Sequence, residues 1–174
     1  MTPVAIPASD TQLSPYDRPL RGSTREKCVS LVIPLVQELP ESTPFAGGDF
    51  HMNVLIIDDH APTRALISTW IRSVATQIKE ISNGPDGIAL CATFQPDIVT
   101  LDLRMRLMDG FETLQALRAA YPQQRVIIVT QADLPELRAK AAQLGAAFFV
   151  PKDDLRLLRW YLERETQLRT ARTA

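Results

Sequence analysis

A three-layer α/β sandwich built on a five-stranded parallel sheet is the fold class this sequence predicts. Three observations predict it. Five short β-rich runs recur from Val54 onward, and runs such as Val126–Val129 show no polar alternation, the pattern of strands buried on both faces. Each run is followed by an amphipathic stretch of helical length, and strict strand–helix alternation marks βαβ units. Four of the runs end in an Asp, a Thr or a Lys, at the strand ends where open parallel sheets bind their ligands.

The elements follow in order. The first strand is Val54–Ile57, and the first helix is read over Ala65–Val74, with Ile67, Trp70, Ile71 and Val74 on one face. The second strand is Ile78–Ile81, followed by a helix from Gly87 to Phe94. After the third strand, Ile98–Leu101, a helix opens at Asp109-Gly110-Phe111-Glu112 and continues through Leu114 and Leu117. The Asp is read as its cap, with a Glu three residues on. The fourth strand is Val126–Val129. Its helix repeats the capping spacing as Asp133…Glu136, has Pro135 in the first turn and stops at Gly145. The fifth strand is Phe148–Val150. The last helix follows Asp153-Asp154, with Asp153 beginning the cap, and carries Leu155, Leu158 and Leu162. Right-handed crossovers leave few strand orders, and the flavodoxin-like order 2-1-3-4-5 is the one chosen.

Composition agrees with such a domain. The chain has 174 residues, 45% hydrophobic and 22% charged, with net charge −1. That balance argues against a phosphate-coating basic protein and a disordered acidic chain. Two cysteines, Cys28 and Cys91, make neither a disulfide scaffold nor a Cys-based zinc site. A reducing cytoplasm is the expected setting. The longest apolar stretch, Val29–Val36, is interrupted by Pro34 and too short to span a bilayer. Seven of the 13 prolines fall in residues 1–51, so this part is read as an irregular arm. It would be a docking arm, a linker, or sequence upstream of a start at Met52. The folded domain is placed at 52–166 and a polar tail at 167–174.

The strand ends carry the chemistry. Asp58 and Asp59 follow the first strand, Asp102 the third, Thr130 the fourth and Lys152 the fifth. Taken singly, each has a plain structural reading: an Asp as a cap or turn residue, Thr as a strand end, Lys as a surface charge. Together they put three carboxylates, a hydroxyl and an ammonium at one rim. Two carboxylates about 4 Å apart repel by roughly 4 kcal/mol at an effective dielectric of ~20. A divalent cation relieves this, and hard oxygen ligands in a half-open site suit Mg²⁺. An Asp can accept a phosphoryl group as an acyl phosphate, with Mg²⁺ and Lys compensating the charge.

Residues 53–165 resemble a response-regulator receiver domain of two-component signalling. The motifs are Val54-Leu55-Ile56-Ile57-Asp58-Asp59-His60, Leu101-Asp102-Leu103-Arg104-Met105-Arg106-Leu107-Met108-Asp109-Gly110, Ile127-Ile128-Val129-Thr130, and Gly145 through Pro151-Lys152. The resemblance implies that Asp102 accepts a phosphoryl group from the phosphohistidine of a histidine kinase or a histidine phosphotransfer protein. Asp59 would ligate Mg²⁺ directly and Asp58 through water, with Asp102 and the backbone carbonyl of Arg104 completing the protein ligands. Thr130 and Lys152 would engage the phosphate. Phe149, at the aromatic switch position, would couple them to the surface of helix 4, strand 5 and helix 5. A static core aromatic is the structural alternative for Phe149.

Three departures stand out. Arg106 replaces the family's usual Pro four residues after the acceptor, which loosens the loop. With Arg104 it puts two cations beside the site, to attract the acidic surroundings of a phosphodonor or simply to be solvated. Gln131 replaces a usual Ala or Gly and would narrow access to the acyl phosphate. Pro151 precedes Lys152 and Asp153 follows it, as in receivers of LuxR-type regulators, so no cis bond is expected at 152–153.

The implied output is phosphorylation-dependent binding to a downstream protein, not catalysis on an external substrate. The helix 4–strand 5–helix 5 face could also form a homodimer. Alternatives are a phosphorelay intermediate and the receiver part of a longer transcription regulator. No helix-turn-helix is visible, and the arginines of the last helix alternate with Glu163 and Glu165, so direct nucleic-acid binding and membrane insertion are not expected. An Asp-nucleophile phosphatase would need a second Asp where Arg104 stands. His51 and His60 lack the setting of a phosphoryl-carrying histidine, and Cys91 is read as a small buried hydrophobe.

Overall fold

The structure is a computed structural model and describes residues 52–106 and 108–173. The readings made for residues 1–51, with Cys28 and His51, lie outside the described residues. The elements are β1 Asn53–Ile57, α1 Ala61–Ile71, β2 Gln77–Ile81, α2 Gly84–Phe94, β3 Ile98–Leu101, α3 Gly110–Ala120, β4 Arg125–Thr130, α4 Pro135–Gln143, β5 Phe148–Pro151 and α5 Arg156–Thr173. All strand pairings are parallel and the order is β2-β1-β3-β4-β5, the predicted flavodoxin-like order.

Strand alternation explains the two cores. Leu55 and Ile57 join Val99, Leu101, Leu114, Leu117 and Ile128 in one buried cluster. Val54 and Ile56 point the other way, to Ile67, Ile71, Ile98, Ile127, Leu158 and Leu162. Successive strand residues face opposite sides, so the central runs are apolar at nearly every position. Burying one such side chain contributes on the order of 1.5–3 kcal/mol. β2 is an edge strand, and its Gln77, Lys79 and Glu80 are exposed.

The register sets the rim. Ile57 pairs with Leu101 and Leu101 with Ile128, so Asp58 and Asp102 emerge at the same level. β4 and β5 run further, pairing Thr130 with Pro151. Lys152 therefore starts beyond the carboxylates, within reach of them.

The helices differ from the sequence reading at six places. α1 starts at Ala61 instead of Ala65, because Pro62 fits the first turn after the extended His60. Its buried stripe is Ile67 and Ile71, while Trp70 lies beside Leu66 on an exposed flank. α2 begins at Gly84 and not Gly87, since Asn83 Oδ1 accepts the Asp86 N–H at 2.9 Å and Pro85 occupies the first turn. Asp133 does not cap α4: the N-cap is Leu134, and Asp133 pairs with Arg138 one turn into the helix. Asp153 does not cap α5 either, because its Oδ1 accepts from Gln131 Nε2 at 2.9 Å and the helix begins at Arg156. α5 also continues through 167–173, where a polar tail was read. No Gly or Pro interrupts it, and Arg169 ion-pairs with Asp97 at the base of β3.

α3 is the helix whose capping was read correctly. Asp109 Oδ1 accepts the Phe111 N–H at 2.8 Å. The next residue, Gly110, lies against the loop after β3: its N–H donates to the Leu103 carbonyl at 3.1 Å. A Cβ there would sit 2.2 Å from the Asp102 carbonyl oxygen and 2.5 Å from Leu103 Cα. Both are backbone atoms that cannot swing aside. Gly110→Ala is therefore expected to lose roughly 1–3 kcal/mol, the cost of overpacking. Urea unfolding measures this, and an unchanged midpoint would show that the loop yields freely.

Candidate functional site

The carboxylates of Asp58, Asp59 and Asp102 each place an oxygen within 4.8 Å of the others. Asp58 and Asp102 are buried, at 1% and 5% exposure, so their charges cannot be left to water. Lys152 compensates them. Its Nζ lies 2.7 Å from Asp102 Oδ2 and 2.8 Å from Asp58 Oδ2. Burial alone would lower the Lys152 pKa, but the hydrogen bonds and negative charges of Asp102 and Asp58 outweigh it and raise the value. A raised lysine contributes stability that is complete below its unfolded pKa and is lost only as pH rises through the folded value. The ammonium is thus intact throughout the neutral range.

Each member is fixed locally. Asp58 Oδ1 accepts the His60 N–H at 2.8 Å, a turn that bends the chain from β1 into α1. Arg64, on the first turns of α1, donates from Nη1 to the Asp58 carbonyl at 2.8 Å and lies 3.6 Å from Glu80 on β2. Asp59 is less buried, and its Oδ2 accepts from both the backbone N–H and the Nε of Arg106 at 3.3 Å. The Lys152 N–H donates to the Thr130 carbonyl at 2.9 Å, extending the β4–β5 pairing. Gln131 and Asp153, each one residue further on, join the same two loops by their side chains.

Two buried polar atoms at the rim have no hydrogen-bond partner: Asp102 Oδ1 and Thr130 Oγ1. Together with three clustered carboxylates of hard oxygen donors, they fit a divalent cation such as Mg²⁺ and an oxygen-rich ligand. Phe149 is 8% exposed and packs within the core cluster on the α2–α4 side, with the Arg138 guanidinium 4.6 Å from its ring centroid. Arg104 and Arg106 stand exposed on the loop after β3. Cys91 is buried, which pushes its thiol pKa up to about 11, in keeping with the small-hydrophobe reading.

Arg64 and Arg138 escaped the sequence reading. Arg64 could have been found as the one charge among the residues facing inward near the start of α1. Arg138 carries no signal of its own, because its partners Asp133 and Phe149 meet it only in the fold.

An α/β protein with an acidic, lysine-bridged pocket at the carboxyl rim of its parallel sheet is the class that fold and site define. The chain belongs to the response regulator receiver domain family, whose model matches residues 54–163. A protein-glutamate methylesterase/protein-glutamine glutaminase from Nitrosomonas europaea is 38% identical over 131 residues, covering 71% of this chain and 36% of that protein. The nitrate/nitrite response regulator protein NarL of Escherichia coli is 34% identical over 102 residues, covering 58% of this chain and 47% of that one. A solved DNA-binding response regulator of the LuxR family from Staphylococcus aureus has a TM-score of 0.59 at 26% identity and covers 65% of this chain and 97% of the other. This chain spans about a third to a half of the length of the two curated relatives. Among the described residues no helix is long and apolar enough to cross a membrane.

Removing the bridging ammonium should expose the repulsion it hides. Lys152→Met is expected to lose roughly 3 kcal/mol, the order found when one partner of a buried ion pair is removed. Millimolar Mg²⁺ should restore part of that loss by supplying charge to the same carboxylates. Urea titrations with and without the metal check both, and equal stability of variant and parent in metal-free buffer would contradict the account.

Proposed function

We propose that the domain is a phosphorylation-controlled receiver with Asp102 as phosphoacceptor. The observation that carries the reading is the buried Asp102 itself, 2.7 Å from the Lys152 ammonium and within one cluster with Asp58 and Asp59. A carboxylate oxygen of Asp102 attacks the phosphorus of a phosphohistidine. The phosphorus–nitrogen bond breaks, and the imidazole leaves with the bonding pair. Asp59, Asp58, Asp102 and the backbone carbonyl of Arg104 would hold Mg²⁺, which when bound neutralises charge on the transferred group. Lys152 exchanges its carboxylate contact for the phosphoryl oxygens. Thr130 turns its unpartnered hydroxyl to the same group. The residues supply alignment and charge, which is most of what phosphoryl transfer needs.

The consequence is a change of surface and not turnover of an external substrate. Thr130 ends β4 and Phe149 lies on the neighbouring β5, so a shift of Thr130 is felt by the phenyl ring and the Arg138 above it. The α4–β5–α5 face is the proposed output, offered to a downstream protein or to a second copy. A histidine kinase or a phosphotransfer protein is the proposed donor, with relay onward as an alternative. Both curated relatives are longer than the matched region, which favours as a second reading a receiver that works within a longer regulator. The folded domain from Met52 through α5 is the proposed functional unit, and the proposed setting is cytoplasmic.

Gln131 is the proposed control on access. Its side chain donates to Asp153, tying the loops that follow Thr130 and Lys152, on the proposed approach of small phosphodonors. Gln131→Ala should take phosphate from acetyl phosphate several-fold faster, followed by the mass of the phosphorylated protein. An unchanged rate would remove Gln131 from the site.

Beryllofluoride, which mimics an acyl phosphate, tests the central reading. With Mg²⁺ present, amide resonances around Asp102, Thr130 and Phe149 should shift, and Asp102→Asn should abolish the response. A spectrum indifferent to beryllofluoride at saturating Mg²⁺ would mean that the pocket is no phosphoacceptor.

A further inference from the structure

We propose that Arg106 is a built-in counter-ion that sets the Mg²⁺ affinity of the site by occupying Asp59. The inference rests on reading the acidic cluster as a Mg²⁺ site. Lys152 reaches Asp58 and Asp102, so among the three carboxylates Asp59 depends on another cation. Arg106 supplies that cation and a backbone donor besides. Its backbone N–H and its Nε both donate to the same oxygen, Asp59 Oδ2, each at 3.3 Å.

The two donors differ in kind. The guanidinium is 89% exposed and can swing into water at little cost, so its hold on Asp59 is weak and screened by salt. The N–H belongs to the loop and stays in place unless the loop moves. A metal ion that takes Asp59 Oδ2 competes with both for the same oxygen. It must also tolerate a positive charge close by while the guanidinium remains. Arg106 therefore acts against Mg²⁺ in two separable ways, one electrostatic and one by hydrogen bonding. Only a residue that has a backbone N–H and a cationic side chain can do both, and proline at this position could do neither.

The separation makes the test. Mg²⁺ affinity is measured by amide chemical-shift titration of the unphosphorylated protein, so no activity is involved. Arg106→Ala removes the guanidinium alone and should tighten Mg²⁺ binding about two- to five-fold at low salt, the range of an exposed ion pair. The gain should shrink as ionic strength rises. Arg106→Pro removes both donors and should bind tighter still, with an excess over Arg106→Ala that survives high salt. Arg106→Lys keeps the charge and should stay near the parent. Asp59→Asn is the control. If it binds Mg²⁺ as well as the parent does, the metal-site reading fails. If it loses Mg²⁺ while Arg106→Ala and Arg106→Pro both bind like the parent, the site stands and the counter-ion inference is overturned.

Discussion

Three carboxylates meet at the rim of a sheet, and the rest of the structure answers to the charge they create. Asp58 and Asp102 are too buried for water to screen, and each further negative neighbour adds several kcal/mol of repulsion. The compensation comes from far along the chain. Lys152 is 50 residues beyond Asp102, and it arrives only because β5 lies two strands from β3 and ends further up the same rim. Sheet order and register are thus conditions of the site as well as of the fold.

The loops are held to the tolerance this cluster requires. The β1–α1 turn is pinned by His60 on Asp58 and by Arg64 on the Asp58 carbonyl. The loop after Asp102 returns to Gly110, which lies against the backbone of Asp102 and Leu103. Lys152 is tied by its N–H to Thr130. What these contacts leave unengaged is equally specific. Asp102 Oδ1 and Thr130 Oγ1 are buried without hydrogen-bond partners, which is costly in a folded protein and fits a site arranged for a ligand.

The legible part of the chain was the part governed by local periodicity. Buried parallel strands are apolar at nearly every position, so their bounds could be read to within about a residue or two. The capping of α3 was legible because Asp109 had only its own helix to serve. The same reasoning failed at Asp133 and Asp153. Each looks like a cap by spacing, and each is taken by a partner outside that spacing, Arg138 and Gln131. A carboxylate goes to the best donor within reach, and reach in three dimensions is not sequence distance. Trp70 failed for a related reason: it fits the helical period, but Ile67 and Ile71 fill the space against the sheet.

By itself, then, the sequence determined the alternation of elements, the two-sided burial of the strands and the residue types waiting at their ends. These follow from periods of two and 3.6 residues and from the chemistry of single side chains. Tertiary structure alone decided which charge neutralises which. It gave Asp58 and Asp102 to Lys152, Asp59 to Arg106, Asp153 to Gln131 and the Phe149 ring to Arg138. Electrostatic pairing depends on distances of a few ångströms between residues that the chain keeps far apart, and only the closed sheet sets those distances.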